Sequence, residues 1–300
     1  MDDPGKHMIK PLRKRLEETA HKTGLRLDIL QQDYLLSWVL VGIFNHPKLK
    51  NALLFKGGTC LKKCYFGNYR FSQDLDFTAN SNLPSSDKLF SLLSEAIENT
   101  QKQMNEFAPI ELFFKKYEEK NPHPEGQEAF TINAQFPWQR EPLTKVMIEI
   151  SKEETLVFPP ASKKLIHKYG EDLDIDIQTY SLEEIILEKL RAILQHTKKL
   201  HERDWNRSRA RDYYDLWHIF NAFEKQLQLN NISNLLTQKC QSKQVSFKTI
   251  ESFFDEKMIF NVQKTWSQWL GPLVFDLPNC NTVLDDLKKR IHKMLFTSKK

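Results

Sequence analysis

Asp74 and Asp76 stand two residues apart in the run from Arg70 to Thr78, which reads as a β-strand. Side chains alternate across a strand, so both carboxylates face one side while Leu75 and Phe77 face the other, into a core. Two carboxylates held together repel unless a cation lies between them. Mg²⁺ takes hard oxygen ligands, commonly one or two carboxylates together with substrate phosphates. The pair is a candidate metal site for phosphoryl chemistry, although a solvated strand face carries the same pattern. Upstream, the apolar run Ala52 to Phe55 ends in Lys56-Gly57-Gly58-Thr59, which reads as strand, tight turn and then a helix over Thr59 to Phe66. Glycines let a backbone approach a phosphate, and a helix start offers free N–H groups and a positive dipole end. Downstream, Lys145 to Ser151 reads as a strand with Val146, Ile148 and Ile150 on one face and Glu149 on the other. A third carboxylate on a neighbouring strand would suit a second ion and an activated hydroxyl; an exposed strand glutamate would look the same.

Two helical segments add charged candidates. Ser181 and Glu184 form a capping-box pattern that opens a long helix with Leu182, Ile185, Ile186, Leu190 and Ile193 on one stripe. Lys189 falls within that stripe, where a lysine is costly unless it snorkels or meets an anion such as a nucleotide phosphate. A second helix follows Arg209, with Tyr213, Leu216, Ile219, Phe220 and Phe223 as its apolar stripe and Asp212 on the flank. Asp212 suits a helix N-terminus and is spaced to pair with Arg209. The functional alternative sets Arg209 on a phosphate and Asp212 as an acid-base or orienting group. From Lys189 to Arg211 eight cations face only Glu202 and Asp204, with Trp205, Tyr213 and Tyr214 alongside. Cations interleaved with aromatics suit RNA phosphates and stacked bases; a solvated helix surface is the alternative.

These residues need a scaffold. Residues 1 to about 50 read as helical, with Leu30, Tyr34, Trp38 and Val39 on one stripe and a break at Pro47. A turn over 80–86 precedes an amphipathic helix from Asp87 to Asn105. Strands are expected over Ile110 to Tyr117, Ala129 to Phe136 and Lys145 to Ser151, separated by the turn at 121–126 and by Pro137 and Pro142. From Ser181 the pattern is helical almost to the end. Two domains are expected, 1–180 and 181–300, in agreement with a prior of ~150 residues per domain. The 300 residues are 40% hydrophobic and 28% charged with a net charge of +5, which excludes a disordered chain. The apolar run Leu35 to Phe44 is about half of the ~20 residues that a membrane helix needs. No signal-peptide pattern opens the chain, so a cytoplasmic protein with no membrane partner is expected. Cys60, Cys64, Cys240 and Cys280 follow neither disulfide nor zinc spacing.

Leu53 to Lys63 (LLFKGGTCLKK), Arg70 to Phe77 (RFSQDLDF), Glu188 to Ala192 (EKLRA) and Arg209 to Leu216 (RARDYYDL) together resemble the AbiEii/AbiGii-type nucleotidyltransferase toxins of the polymerase-β-like superfamily. The likeness runs over residues 50 to 220. It implies an α+β fold: a mixed-sheet nucleotidyltransferase core with flanking helices, then a mostly helical C-terminal domain that contributes Lys189 and Asp212 to the active-site cleft. It implies Mg²⁺-dependent transfer of a nucleoside monophosphate from an NTP to an acceptor hydroxyl, an RNA such as a tRNA 3′ end, by the toxin of a toxin–antitoxin pair with a cognate antitoxin. By position, Gly57, Gly58 and Thr59 hold the triphosphate, with Ser72 in support. Asp74 and Asp76 bind Mg²⁺, Lys189 reaches a phosphate, and Asp212 is the acid of the last motif, with Arg209 beside it. The superfamily's Gly-Ser is Gly-Gly-Thr here, and the third metal carboxylate would be Glu149 rather than an aspartate. Transfer to a protein or small molecule, or a nucleotide-binding module without turnover, are the rival expectations. A nuclease fits less well, because Ser151 stands where such sites commonly place a lysine.

Overall fold

The computed structural model of the chain describes residues 9–80, 83–117, 127–152, 154–203 and 207–297. The turn at 121–126, positions 81 and 82 of the turn over 80–86, and Asp204 and Trp205 of the basic run lie outside the described residues. The chain divides into a sheet unit, Met1–Glu154 with Ser162–Thr179, and a helical unit, Thr155–Ala161 with Tyr180–Lys300.

The sheet unit carries strands β1 (Leu53–Lys56), β2 (Asp74–Ala79), β3 (Glu111–Lys116), β4 (Gln127–Gln135), β5 (Thr144–Ser151), β6 (Ala161–Lys164) and β7 (Asp176–Thr179). Among the described residues they form one seven-stranded sheet in the order β3-β4-β5-β2-β1-β7-β6. The sheet is mixed: β2 runs parallel to β5 and β1 parallel to β7, while β1–β2, β3–β4 and β4–β5 are antiparallel. With the C-terminal helices described below, this is the expected α+β nucleotidyltransferase fold. Strands β6 and β7 escape the sequence pattern because each has four residues and alternates too briefly to register.

Helices α1 (Leu12–Thr23), α2 (Leu27–Asn45), α3 (Leu49–Ala52), α4 (Gly57–Cys60) and α5 (Ser86–Met104) complete the unit. The expected single N-terminal helical stretch is broken by Gly24, whose φ of 68° ends α1 in the left-handed conformation. Leu30, Tyr34, Trp38 and Val39 are buried as expected, but so is nearly all of α2. By length and composition α2 could cross a membrane; 83% of that stretch is buried. It packs on β5 and on α5, with Phe44 reaching the Phe77 ring of β2 at 6.3 Å between centroids. Leu75, Phe77, Val146, Ile148 and Ile150 are fully buried on the inner sheet face. Each such side chain contributes roughly 1.5–3 kcal/mol. A one-residue register slip would expose this apolar set and bury the carboxylates instead, so the hydrophobic pattern holds the polar face in place.

The helical unit comprises α6 (Leu182–Arg203), α7 (Ala210–Phe223), α8 (Ile232–Gln241), α9 (Glu256–Leu270) and α10 (Cys280–Phe296). Only half of the capping box forms. The Glu184 amide donates to Ser181 Oγ at 3.2 Å, but the Glu184 carboxylate does not return to the cap. It accepts the Val157 and Phe158 amides at 3.0 and 2.9 Å and pairs with buried Lys239 at 2.6 Å. Lys239 also donates to the Thr155 carbonyl at 3.0 Å, so one buried ion pair pins the Thr155–Ala161 segment to the helices.

Candidate active site

The β2 and β5 register sets Asp76 beside Glu149 and Asp74 beside Met147, and the β1 register sets Lys56 beside Asp76. Partners in register share a sheet face. Lys56, Asp76 and Glu149 therefore form a row across three strands, with Asp74 one step along, and all four are half-buried. Lys56 Nζ donates to Ser151 Oγ at 3.3 Å, on the same face.

The glycine turn closes on this row. Gly57 has φ +80°, a conformation L side chains rarely adopt, and a Cβ there would lie 2.2 Å from Asp76 Oδ2. A Cβ on Gly58 would lie 2.5 Å from Arg70 Nη2 and 3.2 Å from Ser72 Oγ. The missing side chains leave a cradle walled by Asp76, Arg70 and Ser72. Thr59 is buried, and its hydroxyl donates to the Asp74 carbonyl at 2.5 Å. The threonine side chain thus ties the helix start to β2, and what Thr59 can offer a phosphate is its backbone N–H.

The expected strand start at Arg70 is corrected to Asp74: residues Arg70–Gln73 are irregular. A π-helical turn, Leu61–Tyr65, continues α4 and turns Lys62 and Lys63 inward. Lys62 Nζ lies 3.6 Å from the centre of the Phe71 ring and donates to the Tyr69 carbonyl at 3.4 Å, which brackets Arg70 from both sides. Burial lowers the Lys62 pKa to about 8. Lys63 Nζ meets Asp33 Oδ2 of α2 at 2.7 Å and Ser37 Oγ at 2.9 Å, and Tyr169 donates to the same Asp33 oxygen at 2.8 Å. Burial raises the Asp33 pKa, but the Lys63 and Lys62 charges outweigh it and hold the carboxyl below its ordinary value. This ionic anchor seats the helix that opens at the cradle.

A divalent cation suits the row. Asp74 and Asp76 present hard oxygens on one partly open face beside the cradle. Among the described residues no three His, Cys, Asp or Glu side chains are grouped to hold a metal ion on their own. The fit is therefore to an ion held by an aspartate pair and completed by water and substrate phosphate, the usual habit of Mg²⁺.

The helical unit gathers the other candidates. Lys189 is only 8% exposed; its Nζ meets Asp212 Oδ1 at 2.9 Å and Asp215 Oδ2 at 2.6 Å. Arg209 Nη1 pairs with Asp212 Oδ2 at 3.0 Å, as the spacing suggested. Burial pushes the Asp212 pKa up, and the Lys189 and Arg209 charges overcome it, so the carboxyl lies below its ordinary value. Tyr213 and Tyr214 are not stacking platforms: both are buried, and the Tyr213 hydroxyl donates to the Phe253 carbonyl at 2.5 Å. They belong to the packed face of α7, which meets α9 and α10. Lys189 and Arg191 are likewise buried among acids, which removes them from any cationic surface.

The structure thus brings Gly57, Gly58, Ser72 and Asp76 together, puts Asp74 and Glu149 on the same face, and joins Lys189, Arg209 and Asp212. Sequence reasoning passed over Lys56, Arg70 and Asp215. Arg70 opens the aspartate motif, and Asp215 lies one turn beyond Asp212 on one helix face, so both carried a readable signal. Lys56 had none, because cross-strand register is invisible in the sequence. The family model of the AbiEii toxin, described as a nucleotidyl transferase of type IV toxin–antitoxin systems, matches residues 38–290 and takes in both groups of candidates. No curated protein matches the chain.

Proposed function

The chain belongs to the AbiEii nucleotidyl transferase toxin family of type IV toxin–antitoxin systems, and from that premise we propose that it moves a nucleoside monophosphate from an NTP to an RNA hydroxyl, such as a tRNA 3′ end, in the cytoplasm, with Mg²⁺ as its cofactor. The observation that carries this reading is the glycine cradle set directly against Asp76, with Asp74 and Glu149 on the same sheet face.

The Gly57, Gly58 and Thr59 amides at the start of α4 receive phosphate oxygens, and Arg70 and Ser72 line the same cradle. Asp74 and Asp76 hold the cation, which when bound supplies charge neutralisation on the phosphates. The acceptor hydroxyl attacks the α-phosphorus in line; a P–O bond to the acceptor forms and the bond to pyrophosphate breaks. Glu149 orients that hydroxyl and takes its proton. In the helical unit, Asp212 holds Lys189 and Arg209 in one charged group. A cognate antitoxin completes the pair.

The test is incubation with each α-³²P-labelled NTP, Mg²⁺ and total RNA, beside an Asp74→Ala/Asp76→Ala control. Label in an RNA band that vanishes in the control is the expected result and names the base. Label in protein would move the acceptor to a protein hydroxyl. No label, with NTP still bound, would leave a binding module and overturn the reading.

A further inference from the structure

Burying Tyr213 and Tyr214 withdraws two of the three aromatics expected beside the cations near the start of α7, and the structure brings another from α9. Trp269 is 43% exposed, and the Arg211 guanidinium carbon lies 5.2 Å from its ring centroid. The Ser208 and Thr265 hydroxyls meet at 2.6 Å, fastening the 207–209 segment to α9 one helical turn before Trp269. Arg203 and Arg207 are exposed, and Lys199, Arg209 and Arg211 are half-buried. Lys199, Arg207 and Arg209 are close-set around His196. The Arg207 amide donates to His196 Nε2 at 3.3 Å, and after burial the Arg209, Arg207 and Lys199 charges, against Asp212, hold the His196 pKa down to about 4.

A large exposed aromatic beside several cations has the two parts of a single-strand RNA site: a plane on which any base can stack, and positive charge for the backbone. An isolated surface tryptophan would need no such account. Here it stands at one edge of a field of like charge that favours only a polyanion. We infer that Trp269 and Arg211, with Arg207, form a platform on which a single-stranded segment of the acceptor RNA docks, with a base stacked on Trp269. This rests on the RNA-acceptor reading above and assigns its recognition to residues some sixty positions apart in the chain.

The experiment is fluorescence anisotropy of the full chain with a labelled single-stranded 12-mer RNA and with total tRNA, across a salt series. Trp269→Ala should raise Kd about tenfold, as expected for one lost base–aromatic stack. The slope of log Kd against log salt should stay unchanged, because no charge is lost. Trp269→Phe should keep most of the affinity, whereas Arg207→Ala should shrink the slope by about 0.7, the share of one phosphate contact. Trp269→Ala should bind NTP as the wild type does. Wild-type RNA affinity in Trp269→Ala, or loss of affinity with an altered salt slope, would overturn the platform. No RNA binding by the wild type would overturn it too. The labelling assay separates the two readings: RNA labelled equally well by wild type and Trp269→Ala sinks the platform alone, whereas wild-type label in protein sinks the RNA acceptor.

Discussion

Gly57→Ala probes the cradle most directly. The new Cβ would sit 2.2 Å from Asp76 Oδ2, where ordinary contact begins at 3.4 Å. The carboxylate must therefore retreat by roughly 1 Å, a displacement that costs on the order of 10²-fold in rate when it falls on a catalytic group. Holding a non-glycine residue at φ +80° costs about 1–2 kcal/mol, partly offset by ~0.4–1 kcal/mol from a stiffer unfolded chain. Displacing the carboxylate adds at most the ~1–3 kcal/mol of an overpacked site, and against a typical stability of ~5–15 kcal/mol the variant should stay folded, which its unfolding temperature checks. Two other glycines calibrate the result. Gly42→Ala would put a Cβ 2.0 Å from Thr100 Oγ1 and 2.8 Å from the Ala96 carbonyl, where α2 crosses α5. It should cost ~1–3 kcal/mol by overpacking while sparing the rate of the folded protein. Gly271→Ala meets nothing within 4 Å at φ −51° and should be neutral or slightly stabilising. Thermal unfolding, at ~2–4 °C per kcal/mol, and the initial rate of nucleotide transfer are measured on all three. A Gly57→Ala protein that transfers at the wild-type rate, or loses activity only as Gly42→Ala does, would refute the claim that this glycine serves the site rather than the fold.

Glu149→Gln keeps the shape and removes the charge; transfer should fall by about 10²-fold or more if the carboxylate takes the acceptor proton, with NTP binding retained, and an unchanged rate in a pH-rate series would return Glu149 to a plain strand residue. Lys189→Met breaks the buried ion pair with Asp215 and should cost ~3–5 kcal/mol in urea unfolding, with Lys189→Met/Asp215→Asn recovering much of it. His196, faced by Lys199, Arg207, Arg209 and Asp212, has its pKa lowered from 6.5 to about 4, so between these values the unfolded chain binds the extra proton. Stability should be complete above pH 6.5 and decline towards pH 4 by at most about 3 kcal/mol, and His196→Gln should flatten that slope.

Much of the sheet unit's working face was legible in the sequence. Alternation in a strand is a local property, so Asp74 and Asp76 had to share a face opposite Leu75 and Phe77, and Glu149 had to oppose Ile148 and Ile150. The glycine pair announced a turn for the same reason: its backbone demand is met within a few residues. The stripes of α6 and α7 followed from helical period, and Leu182, Ile185, Leu216 and Ile219 are buried as that period requires. Lys189 was conspicuous because a lysine on an apolar stripe is costly, and the cost itself signalled a partner.

What the tertiary structure decided is whatever depends on which distant segments meet. Strand order sets Lys56, Asp76 and Glu149 in one row, although β1, β2 and β5 are not consecutive, and nothing within any one of them encodes that adjacency. Arg70 leaves the expected strand to line the cradle because Lys62 holds its neighbours from an inward-turned π-helix. Ser181 and Glu184 spell a capping box, yet a buried lysine from α8 and two free amides offer the glutamate stronger partners than the helix cap. Tyr213 is buried as its place on the apolar stripe requires, Tyr214 packs inward beside it rather than standing among the cations, and Trp269 from α9 comes to stand by Arg211. Local periodicity says which face a residue takes, and only the packing of whole elements says what that face meets.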